Sequence, residues 1–354
     1  MKKKVKFIIL TLFIILIVIT IFLFLAYQSN KKQENAKYKV EGDTLYWFSD
    51  GLALIERDKK YGYIDEKGNI VIPIQYEAAN PFSEGLAGVL TNNQCNIIDK
   101  NGDIISSFEC DYIGTYSENL ALISKDDKYG FIDTKGNIVI DLEYDMAEDF
   151  SEGLALVEKD DKYGFIDQSG NVVIEPQYES ASSFSEGLAA VEKDQKIGYI
   201  NKDGEVVIDF KYATGESFSE GLAAVREGEK LGYINKHGEV VIGFKYFTGK
   251  DFSEGLAAVY YDRGYGYINK KGEVIIGYQF SEALEFHNGV AFVGKIKTGD
   301  EISYGLINKK GKQITDYQYS SVYLQGFLDT DLATVKDTSY KVIDKKGNVI
   351  ISLK

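Results

Sequence analysis

The chain has 354 residues, 13% of them aromatic, and carries a formal net charge of -14 at pH 7. An acidic surface of this size repels the phosphates of DNA and RNA, so we expect no nucleic-acid partner. Neither of the two histidines, His237 and His287, is accompanied by a nucleophile or by metal-ligand spacing. We therefore predict no catalytic residue, no metal site and no cofactor.

The first predicted element is a membrane-spanning helix. Phe7–Tyr27 is an uncharged run of 21 residues, long enough to cross the roughly 30 Å hydrocarbon core of a bilayer. Four lysines in residues 1–6 predict a basic cytoplasmic tip, although lysines beyond the helix weaken this orientation. We expect a single-pass protein of the cell membrane, with everything after the helix outside the cytoplasm.

A cleavable signal peptide is the alternative interpretation of the same segment. The apolar core of a signal peptide is usually shorter, and it ends in a small-x-small site that Ala26-Tyr27-Gln28 lacks. Cleavage would make the protein secreted.

After a linker predicted at residues 28–44, one pattern repeats nine times over residues 45–354. Each copy contains a segment of the type Phe-Ser-Glu-Gly-Leu-Ala, then Tyr-Gly-Tyr-Ile-Asp, then Lys-Gly-Asn-Val-Val-Ile, and seven consecutive steps are 34 residues long. A fixed period of this kind predicts a single repeat domain with a core that continues from copy to copy. The copies begin near residues 48, 82, 116, 150, 184, 218, 252, 286 and 327.

The copy at residues 184–217 indicates how one repeat is built. Leu188–Glu192, Ile197–Asn201 and Glu205–Phe210 are short stretches rich in β-branched and aromatic residues, which predicts three strands. Between the second and third stretches, Asp or Asn is followed after two residues by Gly, which is typical of a tight antiparallel hairpin. Each copy is therefore predicted to be a three-stranded antiparallel meander that stacks on its neighbours.

Two arrangements of nine meanders are open. Propeller blades usually have four strands in about 40 residues or more, and rings usually have roughly four to eight blades. The array begins and ends in phase, near Leu52 and Ile350, so no terminal copy is expected to be shared to lock a ring. We expect an all-β, open, solenoid-like stack, with a closed propeller-like ring as the alternative.

An acidic column is the first candidate binding surface, because Glu precedes the repeated Gly in most copies. The column could bind cations or a basic partner, but Ser and Glu before Gly are also good turn formers. Its members are Glu84, Glu118, Glu152, Glu186, Glu220 and Glu254, joined by Asp50.

Three tyrosines are further candidates. Most of the 26 tyrosines alternate with Phe, Ile or Leu in strand columns, which indicates core. Tyr260, Tyr261 and Tyr323 stand outside these columns and are candidates for exposure, where aromatic rings stack well on sugars.

The two cysteines occupy core columns that hold tyrosine in other copies. Cys95 stands in the column of Tyr61 and Tyr129, and Cys110 in the column of Tyr76 and Tyr144. A disulfide between them and a pair of buried free thiols are both open, and a compartment outside the cytoplasm permits the bond.

The repeated motif resembles a known family. Apolar-Gly-aromatic-Ile-Asp/Asn, followed after two residues by Gly and preceded by Phe-Ser-Glu-Gly-Leu-Ala, resembles the WG repeat, also called the KWG repeat, a β-rich family found mainly in bacteria. The resemblance covers about residues 45–354, although the Trp that names the family is replaced, for example by Tyr61, Ile197 and Leu231. It implies only a generic binding or scaffolding repeat and brings no particular activity with it.

These observations predict a non-catalytic, membrane-anchored array that presents an acidic surface to a protein partner. A module that binds the cell wall or another carbohydrate is the alternative.

Overall fold

The computed structural model describes residues 36–92, 94–297, 299–323, 327–328 and 330–354. The described residues form nine β-sheets, which we call blades one to nine in chain order. The predicted basic tip and the predicted membrane-spanning segment Phe7–Tyr27 lie outside the described residues. Within the described ranges, no helix is long and apolar enough to cross a membrane.

A separate first strand, β1 (Tyr38–Val40), precedes the blades. The strands of blades one to three are β2 (Thr44–Ser49), β3 (Leu52–Arg57), β4 (Lys60–Asp65), β5 (Ile70–Tyr76), β6 (Ala78–Ala79), β7 (Leu86–Thr91), β8 (Gln94–Asp99), β9 (Ile104–Phe108), β10 (Tyr112–Ser117), β11 (Leu120–Lys125), β12 (Lys128–Asp133) and β13 (Ile138–Tyr144). Those of blades four to six are β14 (Met146–Ala147), β15 (Leu154–Lys159), β16 (Lys162–Asp167), β17 (Val172–Tyr178), β18 (Ser180–Ala181), β19 (Leu188–Lys193), β20 (Lys196–Asn201), β21 (Val206–Tyr212), β22 (Thr214–Gly215), β23 (Leu222–Glu227), β24 (Lys230–Asn235) and β25 (Val240–Tyr246). Those of blades seven to nine are β26 (Thr248–Gly249), β27 (Leu256–Tyr261), β28 (Gly264–Asn269), β29 (Val274–Phe280), β30 (Glu282–Ala283), β31 (Val290–Ile296), β32 (Ile302–Asn308), β33 (Ser321–Val322), β34 (Leu332–Lys336), β35 (Tyr340–Asp344) and β36 (Val349–Leu353).

The predicted meander is present in each of blades one to seven, but a fourth strand precedes it. The three predicted strands of the fifth copy correspond to β19, β20 and β21. The additional strand, β18, is two residues long and pairs with β19. A stretch of two residues has no periodicity of its own, so sequence patterns did not predict this strand in five of the seven blades. The six-residue equivalents in blades one and three, β2 and β10, were also not predicted.

The hairpin between the second and third predicted strands is formed as expected. In blade five, Asn201 Oδ1 accepts hydrogen bonds from the backbone N–H groups of Asp203 and Glu205, at 3.1 and 2.9 Å. Gly204 then adopts a φ of +81°, which glycine tolerates without strain.

The expected open stack is wrong, because the structure is a closed ring of nine blades. Strand β1 pairs in parallel with β36 of blade nine, placing Tyr38 opposite Ile351 and Val40 opposite Leu353. Val40 and Val342 belong to one apolar cluster with Leu45 and Phe48 of blade one. The ring is thus closed by three residues that were assigned to the linker at residues 28–44.

The core lies between neighbouring blades. Leu188 and Tyr199 of blade five pack with Val225 and Ile234 of blade six in one buried cluster. A glycine recurs in the middle predicted strand of most blades, as Gly198 does in β20. The backbone of the outer strand lies very close to it, since a Cβ on Gly198 would be 2.7 Å from the Ile208 carbonyl oxygen. A blade therefore cannot bury its apolar residues without both neighbours, as the repeat pattern predicted.

The Phe-Ser-Glu-Gly segments follow the first strand of each blade. Each repeated Ser contacts the backbone of the residue that precedes the equivalent Ser in the next blade, as Ser185 does with Phe218 at 2.7 Å. We call this first-strand side of the ring its axial face. We call the last strand of each blade its outer strand, since it lies at the other edge of the sheet.

Candidate functional site

The Ser-Glu-Gly-Leu segment is a two-residue hairpin turn. In blade five, Ser185 and Leu188 exchange both backbone hydrogen bonds, at 2.9 and 3.2 Å. Glu186 and Gly187 between them have φ values of +52° and +86°, the geometry of a type I′ turn. The sequence of the motif is therefore explained first by local backbone geometry.

The Ser of this motif joins each blade to the next. Its hydroxyl donates to the carbonyl oxygen of the aromatic residue in the following blade, as in Ser219 to Phe252 at 2.7 Å. His287 replaces this Ser in blade eight, and the neighbouring Asn288 Nδ2 donates to the Phe327 carbonyl oxygen at 2.7 Å instead. The other serines with this contact are Ser49, Ser83, Ser117, Ser151, Ser185 and Ser253.

The acidic column makes a second set of contacts between blades. Glu186 accepts a 2.9 Å hydrogen bond from the Gly221 backbone N–H and forms a 3.1 Å ion pair with Lys236. Equivalent backbone hydrogen bonds, from Asn119 in the case of Glu84 and from Gly in the others, are accepted by Asp50, Glu84, Glu118, Glu152, Glu220 and Glu254. These candidates are engaged within the ring, and the Glu186 side chain keeps 30% of its exposure.

The three candidate tyrosines do not share one site. Tyr260 and Tyr261 lie in β27 of blade seven, where Tyr261 is 42% exposed. Tyr323 lies where blade nine meets blade one and packs against Trp47, with ring centroids 5.5 Å apart. Phe247 was not a candidate, yet it is 49% exposed and its ring is 6.2 Å from that of Tyr260.

Cys95 and Cys110 form a disulfide in blade two, with Cα atoms 5.8 Å apart. Both residues are buried in the cluster that contains Ile97 and Ile132. The bond thus links two core columns that carry a tyrosine pair in blades one and three.

A group of carboxylates at the axial face was missed by sequence reasoning. Glu216, Asp251 and Glu285, which we call the inner carboxylates, precede the repeated aromatic residue by one or two positions in blades six, seven and eight. Fully buried tyrosines position the segments, because Tyr199 donates to the Glu216 carbonyl oxygen at 2.9 Å and Tyr267 to that of Leu284 at 2.7 Å. Asp251 and Glu285 are 34 residues apart and share a column with Asp149, but Ser183 and Ser217 occupy this position in other copies, so the repeat pattern gave only a weak signal for them.

Two of the inner carboxylates, Asp251 and Glu285, border a cavity of about 380 Å³. Asp251, Glu285 and His287 line it together with Glu220 and Leu328, so the cavity spans blades six to nine. Burial, and then the charges of Glu216 and Glu285, raise the pKa of Asp251 to about 6. Among the residues that the structure describes, no group of three or more His, Cys, Asp or Glu is placed to hold a metal ion.

The ring of nine blades, seven of them four-stranded, defines the chain as a β-propeller repeat protein. The sequence model of the WG containing repeat matches eight segments, at residues 61–95, 97–129, 129–163, 163–196, 197–230, 232–262, 265–295 and 304–336. Since these segments cover more than half of the chain, the chain belongs to the WG repeat family. The predicted resemblance is confirmed.

Comparison with solved structures gives matches of low sequence identity. The structure titled "Crystal structure of the eukaryotic initiation factor" is 14% identical, with a TM-score of 0.61 over 83% of this chain and 93% of that chain. BamB from Moraxella catarrhalis is 11% identical, with a TM-score of 0.43 over 71% of this chain and 90% of that chain. No curated protein matches the sequence. The first similarity supports the fold alone.

Proposed function

We propose that the chain is a non-catalytic scaffold that binds a protein partner through the axial face of its ring. The observation that carries this proposal is the group of inner carboxylates, in which burial and neighbouring charges raise the pKa of Asp251 to about 6. A Lys or Arg side chain of a partner would relieve this repulsion, so complementary charge would favour binding there. The net charge of -14 would also speed the approach of a basic partner.

The ring is proposed to lie outside the cytoplasm, anchored to the cell membrane by Phe7–Tyr27. The Cys95–Cys110 disulfide supports this location, because structural disulfides persist in oxidising compartments. Ten residues separate Tyr27 from Tyr38, which allows a reach of about 35 Å between the anchor and the outer strand of blade nine. If Phe7–Tyr27 is cleaved as a signal peptide, the ring is secreted, and N-terminal sequencing distinguishes the two.

The charge-based part of the proposal is tested with a hexalysine peptide as probe. The full chain in detergent should bind it, and the triple variant Glu216→Gln, Asp251→Asn, Glu285→Gln should bind it about tenfold more weakly. The matched control removes three exposed hairpin carboxylates, in Glu205→Gln, Glu239→Gln, Glu273→Gln, and should bind within about twofold of the natural chain. Equal weakening in both triple variants would refute a specific axial site and leave only general charge attraction.

The protein partner itself is tested by proximity labelling from the anchored protein in its native cell. Neighbours labelled by the natural chain, but not by the triple variant of the inner carboxylates, are the expected partners. An identical set of labelled proteins for the two chains would contradict the axial face as the binding surface.

A cell-wall glycan is the second candidate ligand, and the exposed aromatic residues of blade seven favour it. Phe247 and Tyr261 are each more than two-fifths exposed, at 49% and 42%, and planar rings of this kind stack on sugars. Sedimentation with purified wall material should then be weakened by Phe247→Ala and Tyr261→Ala and unaffected by the triple variant of the inner carboxylates. Sedimentation that none of these changes alters would reject this site.

A further inference from the structure

We propose that the outer strands of blades six and seven, β25 and β29, each accept an extended segment of a protein partner as an additional parallel strand. The segment has an apolar or aromatic side chain at alternate positions and no acidic residue between them. This inference names a second surface, away from the axial face, and rests on the proposed function only in that the ligand is a protein.

The chain itself shows the mode of binding, because β1 occupies the outer strand of blade nine in this way. Tyr38, Lys39 and Val40 lie opposite Ile351, Ser352 and Leu353 in a parallel pair. The Lys354 backbone N–H donates to the Val40 carbonyl oxygen at 2.9 Å. Val40 is only 5% exposed, and it packs against the hairpin of blade one, where a Cβ on Gly68 would lie 2.7 Å from it.

The outer strands of blades one to seven are sheet edges without such a strand. Each begins with two exposed β-branched residues, whereas Val349 at the start of β36 is 7% exposed. An uncovered edge with apolar side chains is a template for adding a strand. The exposed pairs are Ile70 and Val71, Ile104 and Ile105, Ile138 and Val139, Val172 and Val173, Val206 and Val207, Val240 and Val241, and Val274 and Ile275.

Most of these edges carry a residue that opposes strand addition. Counted from the hairpin, Pro73, Asp141, Glu175 and Asp209 stand at the position of Ser352, which pairs with Lys39 in blade nine. In these blades, as in blades six and seven, this residue begins a bulge that β36 lacks. Proline lacks the N–H that the ladder needs, and exposed charge protects an edge strand. Blade two has Ser107 there, but its hydroxyl is bonded to Asn96 Oδ1 at 2.6 Å and its strand ends one residue later, at Phe108.

Blades six and seven differ, because they have glycine at this position. A Cβ on Gly243 or Gly277 would meet no atom within 4 Å, so no neighbouring residue covers the face of the sheet at this point of the edge. Neither β25 nor β29 contains an acidic residue. The two least protected edges are therefore neighbours in the ring.

An aromatic contact joins the two edges and explains the apolar character required of the segment. The ring of Tyr261 lies 6.1 Å from Tyr246 of β25 and 5.2 Å from Tyr278 of β29. With 42% of its surface exposed, Tyr261 offers an aromatic wall beside both edges. Apolar side chains of an added strand can pack on this wall and on Val240 and Val274.

The test uses a fluorescent peptide with the sequence of residues 36–42, Ala-Lys-Tyr-Lys-Val-Glu-Gly, and the full chain in detergent. The peptide carries the strand that is known to pair with an outer edge, and its Glu lies beyond the paired residues. Fluorescence anisotropy should show saturable binding below about 1 mM. The double variant Gly243→Pro, Gly277→Pro should bind about tenfold more weakly, since it carries the residue that blade one has as Pro73.

The matched control is the double variant Gly243→Ser, Gly277→Ser, which carries the residue that blade nine has as Ser352 and should bind within about twofold of the natural chain. The triple variant of the inner carboxylates should also bind the peptide normally, so failure of the axial site and failure of these edges are distinguishable.

Hydrogen exchange of the natural chain gives a second measurement if the proline variant does not fold. Addition of the peptide should protect amides within residues 240–246 and 274–280. Absence of binding at about 1 mM, equal binding by the proline variant, or protection confined to other blades would each overturn the proposal.

Discussion

Thr334 Oγ1 donates a 2.7 Å hydrogen bond to the carbonyl oxygen of Tyr46, across 288 positions of the chain. Thr334 belongs to β34 of blade nine and Tyr46 to β2 of blade one, so this bond lies where the ring closes. Trp47, the only tryptophan of the chain, packs against Tyr323 of blade nine at the same place. The closure therefore contains both a buried polar contact and an intrinsic fluorescent reporter.

Replacing Thr334 with Val should weaken this closure. Thr334 is 1% exposed, and loss of a buried hydrogen bond that leaves a carbonyl unpaired costs about 1–2 kcal/mol. Urea unfolding followed by Trp47 fluorescence measures the loss. The control is Thr338→Val, whose exposed hydroxyl contacts only the adjacent Asp337; an equal loss in both variants would contradict the role of Thr334.

Replacing Ser219 with Ala should loosen the contact between blades six and seven. The change removes the 2.7 Å bond to the Phe252 carbonyl oxygen, and we expect about 1 kcal/mol less unfolding free energy. Ser183→Ala removes an exposed bond to Glu148 instead and should cost less than about 0.5 kcal/mol. The idea fails if urea unfolding gives Ser219→Ala the smaller loss.

The contacts of Glu254 should make stability fall at acid pH. Burial by itself would raise the pKa of Glu254, but the bonds from Lys309 and from the Gly289 N–H outweigh it and lower the pKa. The Glu254 carboxylate therefore binds a proton more weakly in the folded ring than in the unfolded chain. Its contribution to the free energy of unfolding is present above the pKa of the unfolded chain and is lost as pH falls through the pKa of the folded ring.

Glu254→Gln should therefore reduce the difference in unfolding free energy between pH 7 and pH 3, by less than about 1 kcal/mol for a partly exposed pair. Glu66→Gln, at an exposed position, is the control and should leave this difference unchanged. An unchanged difference for Glu254→Gln would show that the pair adds nothing.

Asp251 should have the opposite effect on stability. Burial and the charges of Glu216 and Glu285 raise the pKa of its carboxyl to about 6, so the folded state binds the proton more tightly than the unfolded state. The free energy of unfolding therefore decreases as pH rises from the pKa of this carboxyl in the unfolded chain, near 4, through its pKa in the folded ring.

Asp251→Asn should thus stabilise the ring at pH 8, by about 1–2 kcal/mol after allowance for solvent screening, and much less at pH 4. Thermal unfolding at the two pH values measures the effect. Asp209→Asn, on the exposed edge of blade five, is the control. An Asp251→Asn variant that is less stable than the natural chain at pH 8 would refute the unfavourable burial and charge repulsion assigned to the Asp251 carboxylate.

The disulfide should stabilise blade two against unfolding. Its cysteines are 15 positions apart, a loop for which closure contributes about 3 kcal/mol. Reduction should lower the unfolding free energy by about 3 kcal/mol. The double variant Cys95→Tyr, Cys110→Tyr, which carries the tyrosine pair of blades one and three, should not respond to a reductant. Two reactive thiols in unfolded, unreduced protein would contradict the bond.

Much of the ring could be predicted from local sequence. Leu188, Gly198 and Gly204 recur at a fixed period, and turn residues and β-branched runs report strands and hairpins because their energies depend on near neighbours in the chain. The binding surface was harder to predict. Glu186 belongs to a column that is acidic in most copies because it holds blades together. The column of Asp251 has serine in the two preceding copies, and the environment of Asp251 is created by three blades.

The sequence by itself determined the repeat, the three predicted strands of blades one to seven, the tight hairpins and the family. Only the tertiary structure decided that the array closes, because closure depends on Tyr38–Val40, a segment without a repeat signal that pairs with the far end of the chain. The same is true of the charged axial face. The pKa of Asp251 is set by burial and by carboxylates of neighbouring blades, and those distances exist only once the ring has formed.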